Sequence, residues 1–208
     1  MLNEIRTGII RALSGSVNPA RGDKSGALVV IQGHGAFMEA VDNGNVYAVC
    51  NQTGVASQVG LSLATPVLTL YNPAGSGVNC AVWYVGCVHN VVYVAEAAIF
   101  VAVGSNVGAA AVTGTLTVTH RNMKIGLANG CQARPLLAAT LPAIPVAIGL
   151  LGSGTTGAVN LQSQIGMQER WYNGALILKP GTNLSLQTET VSAAAALLCE
   201  YIWEEIPE

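Results

Sequence analysis

ILKPGTNLSLQTET, residues 177–190, contains the two patterns that decide the fold of this chain. Leu184 and Leu186 alternate with polar residues, and a period of two is typical of a β-strand with one buried and one solvated face. The preceding Pro180-Gly181 favours a type II turn, because proline presets φ and glycine accepts the left-handed position. The segment therefore predicts two strands joined by a tight turn.

Short apolar runs separated by turn residues recur along the chain, which contains 24 glycines. Asn43-Gly44 and Asn173-Gly174 each separate two runs, and this dipeptide tolerates the positive φ at both centres of a type I′ hairpin turn. Helical periodicity is confined to residues 2–13. The candidate strands are residues 27–32, 36–42, 45–51, 67–72, 80–90, 98–104, 114–123, 157–165, 174–179, 183–190 and 197–206.

This order of elements predicts an all-β protein. Ten or so short strands with glycine-rich turns and no βαβ rhythm are typical of an antiparallel β-sandwich or barrel. The jelly roll is the commonest form at this length. Residues 1–26 hold four of the nine basic residues and several turn-forming pairs. We therefore predict a short N-terminal arm over residues 1–26 and a jelly-roll β-sandwich domain over residues 27–208.

Charge is scarce in this sequence. Charged residues make up 10% of the 208 residues and apolar residues 51%, whereas a typical globular domain is about 25% charged. Because homo-oligomer interfaces are more apolar than ordinary surface, this composition predicts an obligate oligomer; the alternative is a monomer with a polar, uncharged surface. The net charge of −2 and the dispersed basic residues provide no stripe for nucleic-acid phosphates.

Neither a membrane span nor a disulfide framework is predicted. The longest apolar stretch, Leu136–Gly152, contains Pro142 and Pro145 and is shorter than the about 20 residues of a membrane helix. We interpret it as a loop and a strand. The five cysteines are odd in number and lack C-x-x-C spacing, which indicates buried free thiols in a protein that folds in a reducing cytoplasm.

The sequence also lacks the residue patterns of a catalytic or metal site. His34, His89 and His120 are isolated, and no H-x-H or H-E-x-x-H spacing presents two imidazoles to one metal. This weighs against a jelly-roll metalloenzyme. Asp23 and Asp42 are the only aspartates and lie in turn-like contexts. We therefore predict that the protein is not an enzyme, has no catalytic residues and binds no cofactor or metal.

Two further groups of residues are interpreted structurally. Glu204 and Glu205 are neighbours on a predicted strand, so they point to opposite faces and cannot form an acid–base pair. We interpret both as solvating a strand end. Trp83, Trp171 and Trp203 fall on three separate strands, which favours packing in the core or at a subunit interface over a sugar-binding platform.

Three segments, taken in order, are similar to a known family. GHGAFMEAV (residues 33–41) runs into GNVY (residues 44–47), LYNPAGSGVN (residues 70–79) follows, and ILKPGTNLSL (residues 177–186) precedes a closing WEEIP (residues 203–207). In this order they resemble a family of tailed-bacteriophage virion proteins, some of which are jelly-roll cement proteins that sit as trimers on the capsid. The resemblance covers roughly residues 30–207.

The resemblance implies a structural virion protein that decorates and stabilises the phage capsid. Such a protein binds across major capsid protein subunits as a homotrimer. It resides on the capsid exterior after assembly in the host bacterial cytoplasm. The family provides no catalytic residues. An alternative is a head-fibre or tail module that recognises the host by binding glycans, and a third hypothesis, a jelly-roll enzyme, is disfavoured by the histidine pattern.

The N-terminal arm and the adjoining base of the sandwich are the predicted contacts with the major capsid protein. Its basic groups can pair with acidic rims on the capsid, while its isoleucines supply apolar area that becomes buried on binding. The alternative is a frayed terminus that contacts nothing. The predicted partner-contact residues are Ile5, Arg6, Ile9, Arg11 and Arg21.

Overall fold

The computed structural model describes residues 37–89, 97–105, 111–154, 167–191 and 197–208, which form one short helix and eleven strands. The helix is α1 (Met38–Asp42). In chain order the strands are β1 (Val46–Cys50), β2 (Leu68–Asn72), β3 (Val78–His89), β4 (Ala97–Ser105), β5 (Thr113–Thr117), β6 (His120–Asn122), β7 (Arg134–Thr140), β8 (Val146–Gly154), β9 (Gln168–Leu178), β10 (Thr182–Thr188) and β11 (Leu197–Pro207).

The strands form two antiparallel sheets that pack face to face. One sheet has the order β6-β1-β11-β3-β9 and the other β5-β7-β2-β10-β4-β8. The first four strands pair with the last four in reverse order: β1 with β11, β2 with β10, β3 with β9 and β4 with β8. Strands β5 to β7 interrupt this nested series between β4 and β8. The predicted all-β, antiparallel β-sandwich is confirmed.

The core lies between the two sheets and consists of the inward-facing apolar residues of both. Tyr201 of β11 is fully buried in it, and its hydroxyl donates a hydrogen bond to the Leu68 carbonyl of the opposite sheet at 2.7 Å. Trp203 stacks on Tyr47 with ring centroids 5.8 Å apart. These contacts place the largest buried side chains where the sheets meet, and aromatic residues contribute the most burial per residue.

Strand β10 is buried on both faces. Leu184 and Leu186 face the core between the sheets. Asn183, Ser185 and Gln187 point to the outer face of the six-stranded sheet, yet they too are 0% exposed. The alternating pattern correctly predicted the strand, but the expectation of a solvated polar face is wrong, because other parts of the chain cover that face.

The Asn43-Gly44 dipeptide ends a helix instead of forming a hairpin turn. Predicted strand 36–42 is replaced by α1. Gly44 has φ of +77° and its N–H donates to the Val41 carbonyl at 2.9 Å. The N–H of Asn45 reaches the Ala40 carbonyl at 3.2 Å, and these two bonds define a Schellman cap. Position 44 needs glycine because its backbone is left-handed, as the turn prediction required. The element that it ends is a helix, so the predicted hairpin at this site is wrong.

Asn173-Gly174 also adopts positive φ, at +50° and +82°, without reversing the chain. Strand β9 continues through it from Gln168 to Leu178. Trp171 lies opposite Tyr84 and Leu176 lies opposite Val82, so residues 172–175 face a single residue of β3. The dipeptide therefore lies in a large bulge of four residues opposite one, a distortion that bends and twists a strand, and the predicted hairpin at this site is wrong.

The turn at Pro180-Gly181 is confirmed. Gly181 has φ of +86°, and the N–H of Thr182 donates to the Lys179 carbonyl at 3.1 Å, as a type II turn requires. The turn connects β9 to β10 and thereby carries the chain from one sheet to the other.

Two apolar segments divide differently from their predictions. Residues 114–123 form β5 and β6, which belong to different sheets, and Leu136–Gly152 spans two strands, β7 and β8, where a loop and a strand were expected. Among the described residues, no helix is long and apolar enough to cross a membrane. The predicted arm (residues 1–26), the helical segment (residues 2–13) and the strands at 27–32 and 157–165 lie outside the described residues.

Candidate functional site

A stripe of apolar side chains is exposed along β8, at one edge of the six-stranded sheet. Val146, Ile148 and Leu150 alternate along the strand and are 66%, 43% and 61% exposed, and Ile144 before the strand is 63% exposed. Phe100 of β4 lies directly opposite Leu150 and is partly exposed. Directly opposed residues lie on the same face of a sheet, so Leu150 lies on the outer face with Phe100, whereas Val146, opposite the core-packed Val103, lies on the inner face. We call Ile144, Val146, Ile148 and Leu150 the β8 stripe.

The other three edge strands carry features that discourage edge-to-edge association. Natural sheets protect their edges with short strands, charged residues or bulges. β6 has three residues and includes Arg121, and β5 has five residues. β9 contains Glu169 and Arg170 and the large bulge at Asn173-Gly174. β8 is nine residues long and contains no charged residue, and its pairing with β4 is interrupted by bulges at Ile148 and Leu151.

A second exposed apolar group lies in the connection after β6. Met123, Ile125 and Leu127 are exposed, with Ile125 at 83%. Lys124 lies among them and forms an ion pair with Asp42 at 2.9 Å. The hydrogen bond from Lys124 lowers the pKa of the Asp42 carboxyl. The charges in this connection make it a mixed surface.

A cavity of about 590 Å³ lies between the segment following β1 and strand β7. It is lined by residues 53–58 with Thr65, Pro66, Leu137 and Ala138. Thr65 and Ala138 have φ of +51° and +49°, a conformation that is uncommon for non-glycine residues and especially for a β-branched one. None of the described lining residues is ionisable, so these residues offer no group for acid–base catalysis.

The described histidines are separate, and each is shifted toward its neutral form. Burial lowers the pKa of both His89 and His120, and the His120 ring meets Tyr47 edge-on at 6.4 Å. His34 and Asp23 lie outside the described residues. Within the described ranges, no three His, Cys, Asp or Glu side chains come together as a metal site would require.

The cysteines are free, but they are not all buried as predicted. Cys80, Cys87 and Cys199 are buried and Cys131 is partly buried, whereas Cys50 is exposed at the end of β1. Cys87 and Cys199 lie opposite each other on β3 and β11 with their Sγ atoms 3.2 Å apart. Burial raises the pKa of Cys131 to about 12 and raises that of Cys199. Thiols with raised pKa values are poor nucleophiles and poor metal ligands.

Glu205 is a structural residue that the sequence interpretation missed. Instead of solvating a strand end, its carboxylate is buried and accepts hydrogen bonds from the backbone N–H groups of Gln132 and Ala133, the latter at 2.8 Å, and from the Trp203 indole at 3.3 Å. It thereby fixes the segment before β7 to β11. The sequence contained a signal for this role. Glu205 is two residues after Trp203 on the same strand, so both side chains lie on the same face.

Burial also separates the tryptophans. Trp83 and Trp203 are buried, as the packing interpretation expected. Trp171 is 53% exposed on β9, where its ring meets that of Tyr84 at 4.7 Å. Two buried rings and one exposed ring do not make a sugar-binding platform.

The sequence predicts five partner-contact residues, and all of them lie outside the described residues: Ile5, Arg6, Ile9, Arg11 and Arg21. On the described surface, the exposed aliphatic residues of the β8 stripe are a separate candidate for partner binding. Comparison with known proteins brought no relative: the chain matches no protein-family model, no curated protein and no solved structure.

Proposed function

We propose that this protein is a non-enzymatic virion component that decorates and stabilises the capsid of a tailed bacteriophage by binding across major capsid protein subunits as a homotrimer. The observation that carries the proposal is the nested pairing of the first four strands with the last four. It supports the jelly-roll fold that the sequence resemblance implies for capsid cement proteins.

The strand order gives this support in detail. Without β5 to β7, the two sheets have the orders β1-β11-β3-β9 and β2-β10-β4-β8. A jelly roll consists of eight antiparallel strands in two sheets, and rolling up one long hairpin pairs its first strand with its last and each inner strand with its counterpart. The three additional strands then form an insertion between the fourth and fifth strands of the roll.

A fold alone does not determine function, so the segments that carry the family resemblance provide the second support. The Asn72 side-chain amide donates to the carbonyls of Val78 and Leu178 at 2.8 and 2.9 Å. The N–H of Gly181 donates to the Asn72 carbonyl at 2.8 Å, and Pro207 pairs with Val78. Residues 70–79, 177–186 and 203–207, which all belong to the segments that resemble the family, therefore meet at one end of the sandwich. Such a meeting is expected when the segments are the signature of one fold.

The surface agrees with a role in an assembly. A chain with 10% charged residues and exposed aliphatic side chains along an edge strand is suited to burial against partners. The homotrimer and the location on the capsid exterior belong to the proposal through the family resemblance.

Copy number is the direct test of this function. Quantitative mass spectrometry of purified virions should detect the protein at a copy number comparable to that of the major capsid protein. Capsids that lack the protein should break at lower temperature or lower osmotic shock, and adding the purified protein should restore them. A few copies per virion, enriched with tail proteins, would instead indicate the host-recognition module and overturn the decoration proposal.

The capsid contact is tested with the full-length chain. The double variant Arg6→Glu/Arg11→Glu should bind capsids at least roughly tenfold more weakly, because reversed charges repel acidic rims, while its oligomeric state is unchanged. Arg121→Glu/Arg134→Glu is the matched control, since both arginines are exposed on the sandwich. Equal loss of binding in both double variants would show that the N-terminal segment has no special role.

A further inference from the structure

We propose that Cys87 and Cys199 are a site of oxidative modification, at which a peroxide converts the two buried thiols into a disulfide that links β3 to β11. The two residues lie directly opposite each other in the five-stranded sheet, and their Sγ atoms are 3.2 Å apart. The modification is separate from capsid decoration, and its test does not depend on that function.

The backbone places the two cysteines at a position that a disulfide can span. The N–H of Cys199 donates to the side-chain oxygen of Asn51, and its carbonyl accepts a hydrogen bond from the Asn51 N–H at 3.2 Å. Both backbone groups of Cys199 therefore point away from β3, so Cys87 and Cys199 form a non-hydrogen-bonded pair. The Cα atoms of such a pair are about 4.5 Å apart, within the range of about 4.4–6.8 Å that disulfides span.

The surroundings hold the thiols together in the reduced protein. Both side chains are buried in the core between the sheets. The Asn51 side-chain amide also donates to the carbonyls of Leu197 and Thr53, at 3.1 and 2.8 Å, and so fixes the end of β1 beside Cys199. Two reacting groups that are already in contact react as one molecule, without the entropic cost of an encounter.

The reaction takes two steps and needs only the peroxide. The thiolate of one cysteine attacks an oxygen of hydrogen peroxide, the O–O bond breaks, and a sulfenic acid and a hydroxide form. The neighbouring sulfur then attacks the sulfenic sulfur, the S–O bond breaks, and the disulfide forms as a second hydroxide leaves. The two sulfurs lose two electrons, the peroxide gains them, and each thiol proton ends in one of the two waters formed.

Burial determines when this reaction takes place. Only the thiolate is nucleophilic, and burial raises the pKa of Cys199, so oxidation should be slow at neutral pH and faster as the pH rises. Reducing compartments keep thiols reduced. The pair therefore stays reduced while the chain folds in such a compartment, and it forms the disulfide after the folded protein meets a peroxide.

Peptide mapping of the full-length wild-type protein tests the proposal. The folded protein is treated with hydrogen peroxide at mildly alkaline pH, then unfolded, alkylated and digested. Mass spectrometry should find one linked peptide that joins Cys87 to Cys199, and dithiothreitol should separate its two halves. Recovery of Cys87 and Cys199 as alkylated thiols would overturn the proposal, as would a linked peptide that joins either of them to another cysteine.

Thermal unfolding of matched variants gives a second readout. A cross-link between residues 112 positions apart restricts the unfolded chain, so the oxidised wild type should melt roughly 5 °C or more above the reduced protein. Cys199→Ala should show no such rise on oxidation. Cys80→Ala is the control and should keep it, because Cys80 lies on the same strand as Cys87 and is buried in the same core. An equal rise in Cys199→Ala and the wild type would contradict the assignment, and the peptide map of the wild type decides if a variant fails to fold.

Discussion

The two faces of β10 are equally buried but chemically opposite. Leu184 and Leu186 pack in the core between the sheets, and Asn183, Ser185 and Gln187 lie under the cover of the outer face. On the inner face, burial itself is favourable because apolar area leaves water. On the outer face, burial is tolerated only where hydrogen bonds replace those lost to water.

The outer face meets this requirement unevenly. The Gln187 amide accepts a hydrogen bond from the Ser62 N–H and donates one to the Ser62 carbonyl, both at 3.2 Å, and it contacts the Gln58 amide. Neither amide atom of Asn183 has a hydrogen-bond partner within the described part of the chain. The same degree of burial therefore has three different consequences for stability on one strand. It removes apolar area from water at Leu184 and Leu186, it is offset by hydrogen bonds at Gln187, and it leaves polar atoms without partners at Asn183.

The largest effect is expected on the inner face. Leu186→Ala should reduce the free energy of unfolding by about 3 kcal/mol, because it leaves a cavity in a close-packed core. Urea unfolding at fixed protein concentration measures the change, since association also contributes to apparent stability. Ile125→Ala, at an exposed position, should stay within about 0.5 kcal/mol of the wild type. A loss below about 1 kcal/mol for Leu186→Ala would contradict the tight inner packing.

A smaller loss is expected where the outer face is hydrogen-bonded. Gln187→Met keeps the length of the side chain but leaves the backbone groups of Ser62 and the amide of Gln58 without their partner. The free energy of unfolding should fall by about 2 kcal/mol. The same urea measurement tests this expectation, and a variant as stable as the wild type would mean that the Ser62 contacts contribute nothing.

The smallest effect, and of opposite sign, is expected four residues earlier on the same face. Asn183→Leu replaces an amide by an aliphatic side chain of similar shape and removes two buried polar atoms that lack partners. The free energy of unfolding should stay unchanged or rise by up to about 1 kcal/mol. Gln187→Met and Asn183→Leu both replace a buried amide by an apolar side chain on one strand. A comparable loss of unfolding free energy in both variants would contradict the distinction between a hydrogen-bonded amide at Gln187 and an amide without partners at Asn183.

Sequence patterns predicted local backbone conformation better than they predicted its use. Both Asn-Gly pairs were expected to provide left-handed backbone, and Gly44, Asn173 and Gly174 do have positive φ. One pair nevertheless ends a helix and the other forms a bulge. Dihedral preferences belong to the dipeptide itself, whereas the element that it ends or bends depends on which strands lie beside it.

The candidate interface was less accessible from sequence than the fold. The apolar run Leu136–Gly152 was visible, but an apolar run reads the same whether it lies in a core or at an exposed edge. That β8 is an edge strand follows from its pairing with β4, about 50 residues earlier in the chain. The capsid contacts predicted at Ile5, Arg6, Ile9, Arg11 and Arg21 stay predictions.

The sequence by itself determined that this protein is built of antiparallel strands with tight turns, because alternation and turn chemistry act over a few residues. Tertiary structure alone decided that β10 is buried on both faces, that Glu205 is an anchor and that the β8 stripe is exposed. The physical reason is that a period of two defines two faces of a strand but not what covers either face. Cover is provided by segments distant in sequence, and their positions are set by the packing of the whole sandwich.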